Sequence, residues 1–171
     1  MQLSKNDDDL ASITTFFDSY EGPFDKKPLD LVWLTSRVVD MYNLRYVASK
    51  VSLNFLSDED FLVCLGDEKC IEEILSGMLG NAFRLTKPGN SILVNLSRFE
   101  DQGFPFARIT VEDNGWGIPP QQLKYIFCDE NEKPRSRHVR RLIKAGLSLA
   151  HVEKLVILHE GGICVDSKVG A

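Results

Sequence analysis

The sequence predicts an α+β fold, because segments with helical periodicity alternate with short strand-like runs. The strongest helical pattern covers about residues 67–85, where apolar residues recur at the i, i+3, i+4, i+7 spacing. Alternating apolar residues near 92–96 and the strand-like run at 107–111 flank a polar turn at 100–103, which predicts a hairpin. A chain of 171 residues, of which 43% are hydrophobic, is long enough for one domain with a sizeable core.

Charge and composition narrow the classes of function. The formal net charge of −5 argues against a nucleic-acid partner, since phosphate contacts need a basic surface. No run of about 18 apolar residues is present, so we expect no direct membrane contact by this segment. The four cysteines lack zinc-like spacing and are predicted to be reduced thiols, most of them buried. A cytoplasmic location follows, although a longer parent protein could be anchored elsewhere.

The first half of the chain predicts two helices and two strands. Leu10, Ile13, Phe16 and Phe17 fit one face of a short helix within residues 1–27, with a frayed chain end as the alternative. An amphipathic helix is predicted from Asp30 to about 48, with the aspartate as its cap. Residues 51–55 and 61–65, joined by a polar cluster, predict two adjacent antiparallel strands.

The second half contains the hairpin, a basic stretch and a last helix. A short helix is predicted near 120–127, and a helix from about 146 ends at Gly161-Gly162, before a strand that begins at 163. Between these helices lie six closely spaced basic residues: Lys133, Arg135, Arg137, Arg140, Arg141 and Lys144. Such a run is typical of a solvated loop, and it is equally suited to cover a triphosphate.

The loop Asp113-Asn114-Gly115-Trp116-Gly117-Ile118 follows the second hairpin strand. An ionised aspartate only accepts hydrogen bonds, so it suits an exocyclic amine such as that of adenine. Glycines tolerate tight turns and let a flat ligand approach the main chain closely. The alternative is a plain tight turn closed by Pro119-Pro120.

Asn81 is a polar residue near the end of the strongest predicted helix. Its amide could complete an octahedral magnesium shell or contact a phosphate. The alternative is an asparagine that bonds the last helical turn. The hairpin is expected to bring the end of this helix and the Asp113 loop to the same sheet.

The order of these motifs resembles the catalytic and ATP-binding domain of sensor histidine kinases, which belongs to the Bergerat-fold (GHKL) ATPase superfamily. The matching motifs are the helix with Asn81, the Asp113 loop, a variable lid, and the segments at 146–149 and 159–162. The resemblance covers about residues 28–171 and implies a two-layer α/β sandwich, in which a mixed, mostly antiparallel sheet packs on about three helices. Residues 1–27 would then end a preceding dimerisation segment or linker.

The resemblance also implies roles for single residues. Asn81 takes the place of the magnesium-binding asparagine, and Arg84 replaces a lysine near the phosphates of ATP. Asp113 matches the acid that binds the adenine amine, within a loop that includes Gly115, Gly117 and Ile118. The second glycine motif corresponds to the start of the last helix, where unpaired N–H groups favour phosphate: Gly146, Leu147, Ser148 and Leu149.

Several residues depart from the family pattern, and three of them bear most directly on function. Gly77 stands where the family has a polar residue one turn before Asn81, Leu85 where an aromatic often stacks on adenine, and Ser148 where a glycine is usual. Two hypotheses therefore remain open. The chain is either the catalytic domain of a histidine kinase, or a degenerate relative that binds nucleotide weakly or not at all and acts through another signalling kinase.

No residue of this chain is assigned as catalytic or as the phosphoacceptor. His159 matches the family's His-x-Gly-Gly segment after the last helix. The acceptor histidine is expected on an upstream dimerisation domain, and the phosphoryl group would pass on to the receiver domain of a response regulator. The resemblance thus implies ATP and Mg²⁺ as ligands and these two domains as partners.

Overall fold

The computed structural model of the chain describes residues 24–128 and 149–170. Its first elements are β1 (Lys27–Asp30), α1 (Leu31–Arg45), a 3-10 turn (Val47–Ser49), β2 (Ser52–Ser57) and β3 (Val63–Gly66). They are followed by α2 (Glu68–Leu85), β4 (Ser91–Asp101), β5 (Phe104–Asp113), α3 (Pro120–Leu123) and α4 (Ala150–Leu158). These elements confirm the predicted α+β class.

Both long helices begin at aspartate caps. Asp30 accepts a hydrogen bond from the N–H of Val32, and Asp67 accepts one from the N–H of Cys70. A capping carboxylate satisfies an otherwise unpaired N–H group of the first turn and lies favourably in the field of the helix dipole. The helix starts are therefore set by local sequence, as predicted. Helix α1 ends at Arg45, earlier than the apolar pattern predicted.

The strands form two sheets. In the larger sheet, β4 pairs with β2 in parallel and with β5 in antiparallel orientation, while β1 and β3 form an antiparallel pair. The prediction that the strands near 51–55 and 61–65 are antiparallel neighbours was therefore wrong. The polar cluster between them turns the chain, but Leu53 instead pairs with Ile92, and both side chains are buried beneath the helices.

Helix α2 lies between two hydrophobic clusters. On one side, Leu75 and Leu79 pack with α1 and with the buried face of the larger sheet, which carries Ile92, Val94 and Leu96. On the other side, the second cluster joins residues of α2 and α4 with residues near α3: Cys70, Ile74, Ile118, Ile126, Leu149, Val152, Leu155 and Leu158. Helices covering one face of a mixed sheet form the expected two-layer α/β sandwich.

Several other expectations differ from the structure. Helix α3 is a single short turn, and residues 163–165 do not form the predicted strand. All four cysteines lie in the described part of the chain and none is in a disulfide, but only Cys70 is buried, so the expectation that most are buried was wrong. The predicted helix at Leu10 to Phe17 and the six basic residues after position 132 lie outside the described residues.

Across the two described ranges, no helix combines the length and the apolar character that a membrane span requires.

Candidate functional site

The hairpin register places Asp113 beside the end of α2. Asp113, the last residue of β5, pairs with Ile92 at the start of β4. Helix α2 ends at Leu85, only a short loop before β4. The N–H of Trp116 donates to the carbonyl oxygen of Leu85 over 3.0 Å. The helix end and the Asp113 loop are therefore adjacent, as the hairpin signal predicted.

Gly115 and Gly117 are required by close backbone approaches. A Cβ at Gly115 would overlap the carbonyl oxygen of Leu85 and would lie 2.6 Å from its carbonyl carbon. A Cβ at Gly117 would lie 2.7 Å from the carbonyl carbon of Lys168, and Gly117 also has φ +66°. The positive φ of Gly117 agrees with the predicted tight turn. Ligand approach was the other predicted reason for the glycines, but here the chain's own backbone occupies the space in which side chains would stand.

Side chains of three residues fix the ends of the Asp113 loop. Asn114 Oδ1 accepts the N–H of Ser91 over 2.8 Å, and Asn90 Nδ2 donates to the carbonyl oxygen of Asn114 over 2.6 Å. At the other end, the N–H of Ile118 donates to Ser167 Oγ over 2.7 Å. Neither Asn114 nor Ser167 was predicted to have such a role. Asparagine after a strand is a known turn former, which was an available signal; nothing local indicates the contact of Ser167.

Asp113 presents its carboxylate to solvent at the strand end. Its Oδ1 accepts the N–H of Gly115 over 2.9 Å, which holds the side chain in one orientation. A carboxylate has more acceptor capacity than this one bond uses. It can therefore accept hydrogen bonds from an amine of a bound ligand.

Asn81 and Arg84 lie within one turn of each other near the end of α2. Asn81 is 8% exposed, and Arg84, which is exposed, donates from its guanidinium to Asn81 Oδ1 over 3.4 Å. The pair combines a neutral oxygen ligand, which suits a hard cation, with a fixed positive charge, which suits phosphate. Within the described residues, no cluster of three or more His, Cys, Asp or Glu side chains forms a ready metal site.

Ile118 and Leu149, both predicted to contact ATP, are core residues. Each is only 6% exposed, and both belong to the cluster between α2 and α4. The N–H of Leu149 donates to the carbonyl oxygen of Ile126 over 2.6 Å, just before α4 begins. Their side chains therefore pack inside this hydrophobic cluster, below the Asp113 loop. Gly146, Leu147 and Ser148 lie outside the described residues, and their role stays a prediction.

Position 77 has no room for a side chain. A Cβ there would overlap Cγ2 of Val152 on α4. The helix therefore contains glycine for a packing reason, as its cost in a helix interior suggested. A side chain at position 77 would require either the side chain of Val152 or the helices themselves to shift.

A second polar cluster connects the start of the described chain to both helices of the second core. Asp67 Oδ2 accepts the N–H of Asp25 over 2.9 Å, and the N–H of Asp67 donates to His159 Nε2 over 3.0 Å. Burial alone would raise the pKa of Asp67, but the N–H donors of Asp25 and Cys70 outweigh it, and the pKa is lowered.

The ring nitrogens of His159 both have backbone partners. Nδ1 lies 2.8 Å from the carbonyl oxygen of Leu155. A carbonyl only accepts, so Nδ1 carries the hydrogen and Nε2 accepts from Asp67. The ring of Phe24 packs edge-on against the imidazole, with centroids 5.1 Å apart. His159 thereby ties the end of α4 to the start of α2.

Comparison with known proteins identifies a common family. Residues 66–171 match the family described as "Histidine kinase-, DNA gyrase B-, and HSP90-like ATPase". Among curated relatives, sensor histidine kinase WalK of Bacillus subtilis is 26% identical over 95% of this chain and 26% of its own length. Sensor histidine kinase CusS of Escherichia coli is 30% identical over 85% of this chain and 29% of its own length.

Solved structures of histidine kinases share the fold. The mycobacterial sensor histidine kinase MprB aligns with a TM-score of 0.60 at 22% identity, over 79% of this chain and 80% of that one. Histidine kinase ThkA in complex with the response regulator TrrA aligns with a TM-score of 0.63 at 18% identity, over 90% of this chain and 42% of that one.

The chain spans about a quarter of the length of WalK and of CusS. The family match covers more than half of the chain and includes α2, the Asp113 loop and α4. The chain therefore belongs to the histidine kinase-, DNA gyrase B- and HSP90-like ATPase family.

Proposed function

We propose that this chain binds Mg-ATP and donates the γ-phosphate to a histidine on a separate domain. One observation carries the proposal. The Asp113 loop is fixed by backbone hydrogen bonding to the end of the helix that bears Asn81 and Arg84. A carboxylate acceptor, a neutral oxygen ligand and a guanidinium thus come from adjoining elements.

The proposed roles follow from the chemistry of these groups. Asp113 accepts a hydrogen bond from the adenine amine, Asn81 supplies one oxygen to magnesium, and Arg84 lies near the phosphates. The metal would neutralise charge on the transferring phosphoryl group. Phosphoryl transfer needs positioning and charge stabilisation more than covalent chemistry. Gly146, Leu147 and Ser148 would add backbone N–H donors just before α4, whereas the N–H of Leu149 is already bonded to the carbonyl oxygen of Ile126.

Gly77 favours transfer to a protein group over hydrolysis of ATP by water. Hydrolysis would require a general base placed near the γ-phosphate. The overlap of any Cβ at position 77 with Val152 leaves no room for one there. The acceptor and its base would therefore come from a partner.

The proposed partners are an upstream dimerisation and phosphoacceptor domain and the receiver domain of a response regulator, on the cytoplasmic side of any membrane. The match to a histidine kinase solved with a response regulator supports the second. No acceptor is proposed within the described residues, where His159 has both ring nitrogens engaged.

Calorimetric titration with magnesium and a non-hydrolysable ATP analogue tests the proposal. Wild type should bind, and Asp113→Asn should abolish binding because an amide that donates at this position opposes the adenine amine. Asp101→Asn is the matched control, since Asp101 is an exposed aspartate at the opposite end of the same hairpin. No heat for wild type at millimolar nucleotide would contradict the proposal.

The same space limit at Gly77 also favours a second candidate, a degenerate domain that acts through protein contacts. The two candidates differ in whether a phosphoryl group is transferred to a histidine of another domain. With radiolabelled ATP and a separate histidine-bearing dimerisation domain, a kinase labels that domain in a manner that depends on Asp113. A degenerate domain leaves it unlabelled even when nucleotide binds.

A further inference from the structure

The chain has two tryptophans, and one of them stands in the Asp113 loop. Trp116 is 59% exposed, with Nζ of Lys87 only 3.2 Å from the centroid of its ring. Trp33 on α1 is similar in exposure, at 56%, and has the guanidinium of Arg37 over its ring at 4.5 Å. Single exposed aromatics are common. What distinguishes Trp116 is its place beside Asp113.

The backbone of Trp116 is held on both sides. Its N–H donates to the carbonyl oxygen of Leu85 over 3.0 Å, and its own carbonyl accepts the N–H of Gly170 over 3.3 Å. The flanking glycines are packed against Leu85 and Lys168. The indole therefore projects from a fixed position, and little ordering cost remains when a ligand contacts it.

We propose that Trp116 is the stacking surface for the base of the bound nucleotide. Lys87 lies over one face of a ring whose residue is 59% exposed, so we assign the base to the opposite face. Asp113 recognises an amine at the edge of a base, whereas an aromatic face recognises its plane. Stacking tolerates any base, so selection among bases is left to the carboxylate. This inference rests on the proposed nucleotide binding.

Lys87 acts here as a positioning residue. Its ammonium on one face of the indole stabilises the ring orientation by a cation–π contact. A cation on one face of an aromatic ring does not prevent a base from stacking on the other face. Lys87→Met should therefore weaken nucleotide binding less than removal of the ring does.

Two measurements test the role of Trp116. With the Trp33→Phe background, Trp116 is the only tryptophan, and its fluorescence should be quenched as Mg-ATP analogue is added. In calorimetry, Trp116→Ala should weaken binding about tenfold or more, the usual range for loss of a base stacking partner. Trp116→Phe should retain most of the affinity. Trp33→Ala is the matched control and should bind as wild type does.

The outcomes separate this inference from the proposed function. If Asp113→Asn loses binding while Trp116→Ala binds as tightly as wild type, the stacking role is wrong and the nucleotide site stands. Absence of quenching in the Trp33→Phe protein, under conditions where calorimetry detects binding, also overturns the stacking role, without relying on the alanine variant. A wild-type chain that binds no nucleotide overturns both.

Discussion

Val152 on α4 fills the space that a side chain at Gly77 on α2 would occupy. The side chain of Val152 therefore packs directly against the backbone of α2 at Gly77. Because Val152 is 3% exposed and sits in the second hydrophobic cluster, its side chain has little freedom to move aside. The observed packing of α2 on α4 beneath the site therefore requires glycine at position 77.

Gly77→Ala should lower the free energy of unfolding. Overpacking costs typically ~1–3 kcal/mol and outweighs the ~0.5–1 kcal/mol that alanine gains in a helix interior. In combination with Val152→Ala, the added methyl fits the space released, so the double variant should be more stable than the two single losses predict. Urea unfolding of the four proteins measures the coupling. Strictly additive losses would show that the two residues do not share this space.

Gly117→Ala should destabilise the chain more than Gly89→Ala does. Both glycines have positive φ, so both alanines carry the left-handed backbone cost of roughly 1–2 kcal/mol. Gly117 also faces the backbone of Lys168, whereas a Cβ at Gly89 meets nothing within 4 Å. The difference in thermal stability between the two variants measures the cost of the overlap with Lys168. Equal losses would show that only the backbone conformation matters.

Asp67 should make stability depend on pH in the acid range. Its pKa is lowered in the folded chain, so the unfolded chain binds more protons there. The stabilisation is present above the ordinary aspartate pKa of about 3.9 and is lost as the pH falls towards the lower folded value. In the Asp67→Asn variant, this part of the decline in unfolding free energy should be absent. Urea unfolding across pH 2–6 measures it. Asp101→Asn, on the exposed hairpin, should follow wild type.

Thiol labelling should distinguish the cysteines by burial. Cys164 is exposed and should react first with a maleimide, while Cys70, which is fully buried, should react only on unfolding. Burial raises the pKa of the Cys64 thiol, which reduces its reactive thiolate, so Cys64 should lag behind Cys164. Mass spectrometry of labelled peptides gives the order. Early labelling of Cys70 would contradict the packing of α2 on α4.

Local signals predicted the helices and the hairpin well. Asp30 caps α1 as expected, and α2 begins after Asp67, where its apolar periodicity predicted a helix start. The turn after β4 places Asp113 at the strand end beside α2. Such features depend on neighbours within a few residues, which a single sequence displays.

Contacts between residues that are distant in the chain were harder to predict from the sequence. The parallel pairing of Leu53 with Ile92 joins distant residues, and no turn residue between them encodes it. The contact of Ser167 with Ile118 is equally remote, and Gly117 owes its space to Lys168. The packing of Gly77 on Val152 needed the orientation of two helices, which periodicity alone does not specify.

The hydrogen bonds among Asp25, Asp67 and His159 have a mechanical consequence. The chain just before β1 is attached directly to the first turn of α2, and through His159 to the last turn of α4. A displacement of the chain at Phe24 would therefore act on both helix ends through these hydrogen bonds. It would be transmitted along α2, whose opposite end carries Asn81 and Arg84.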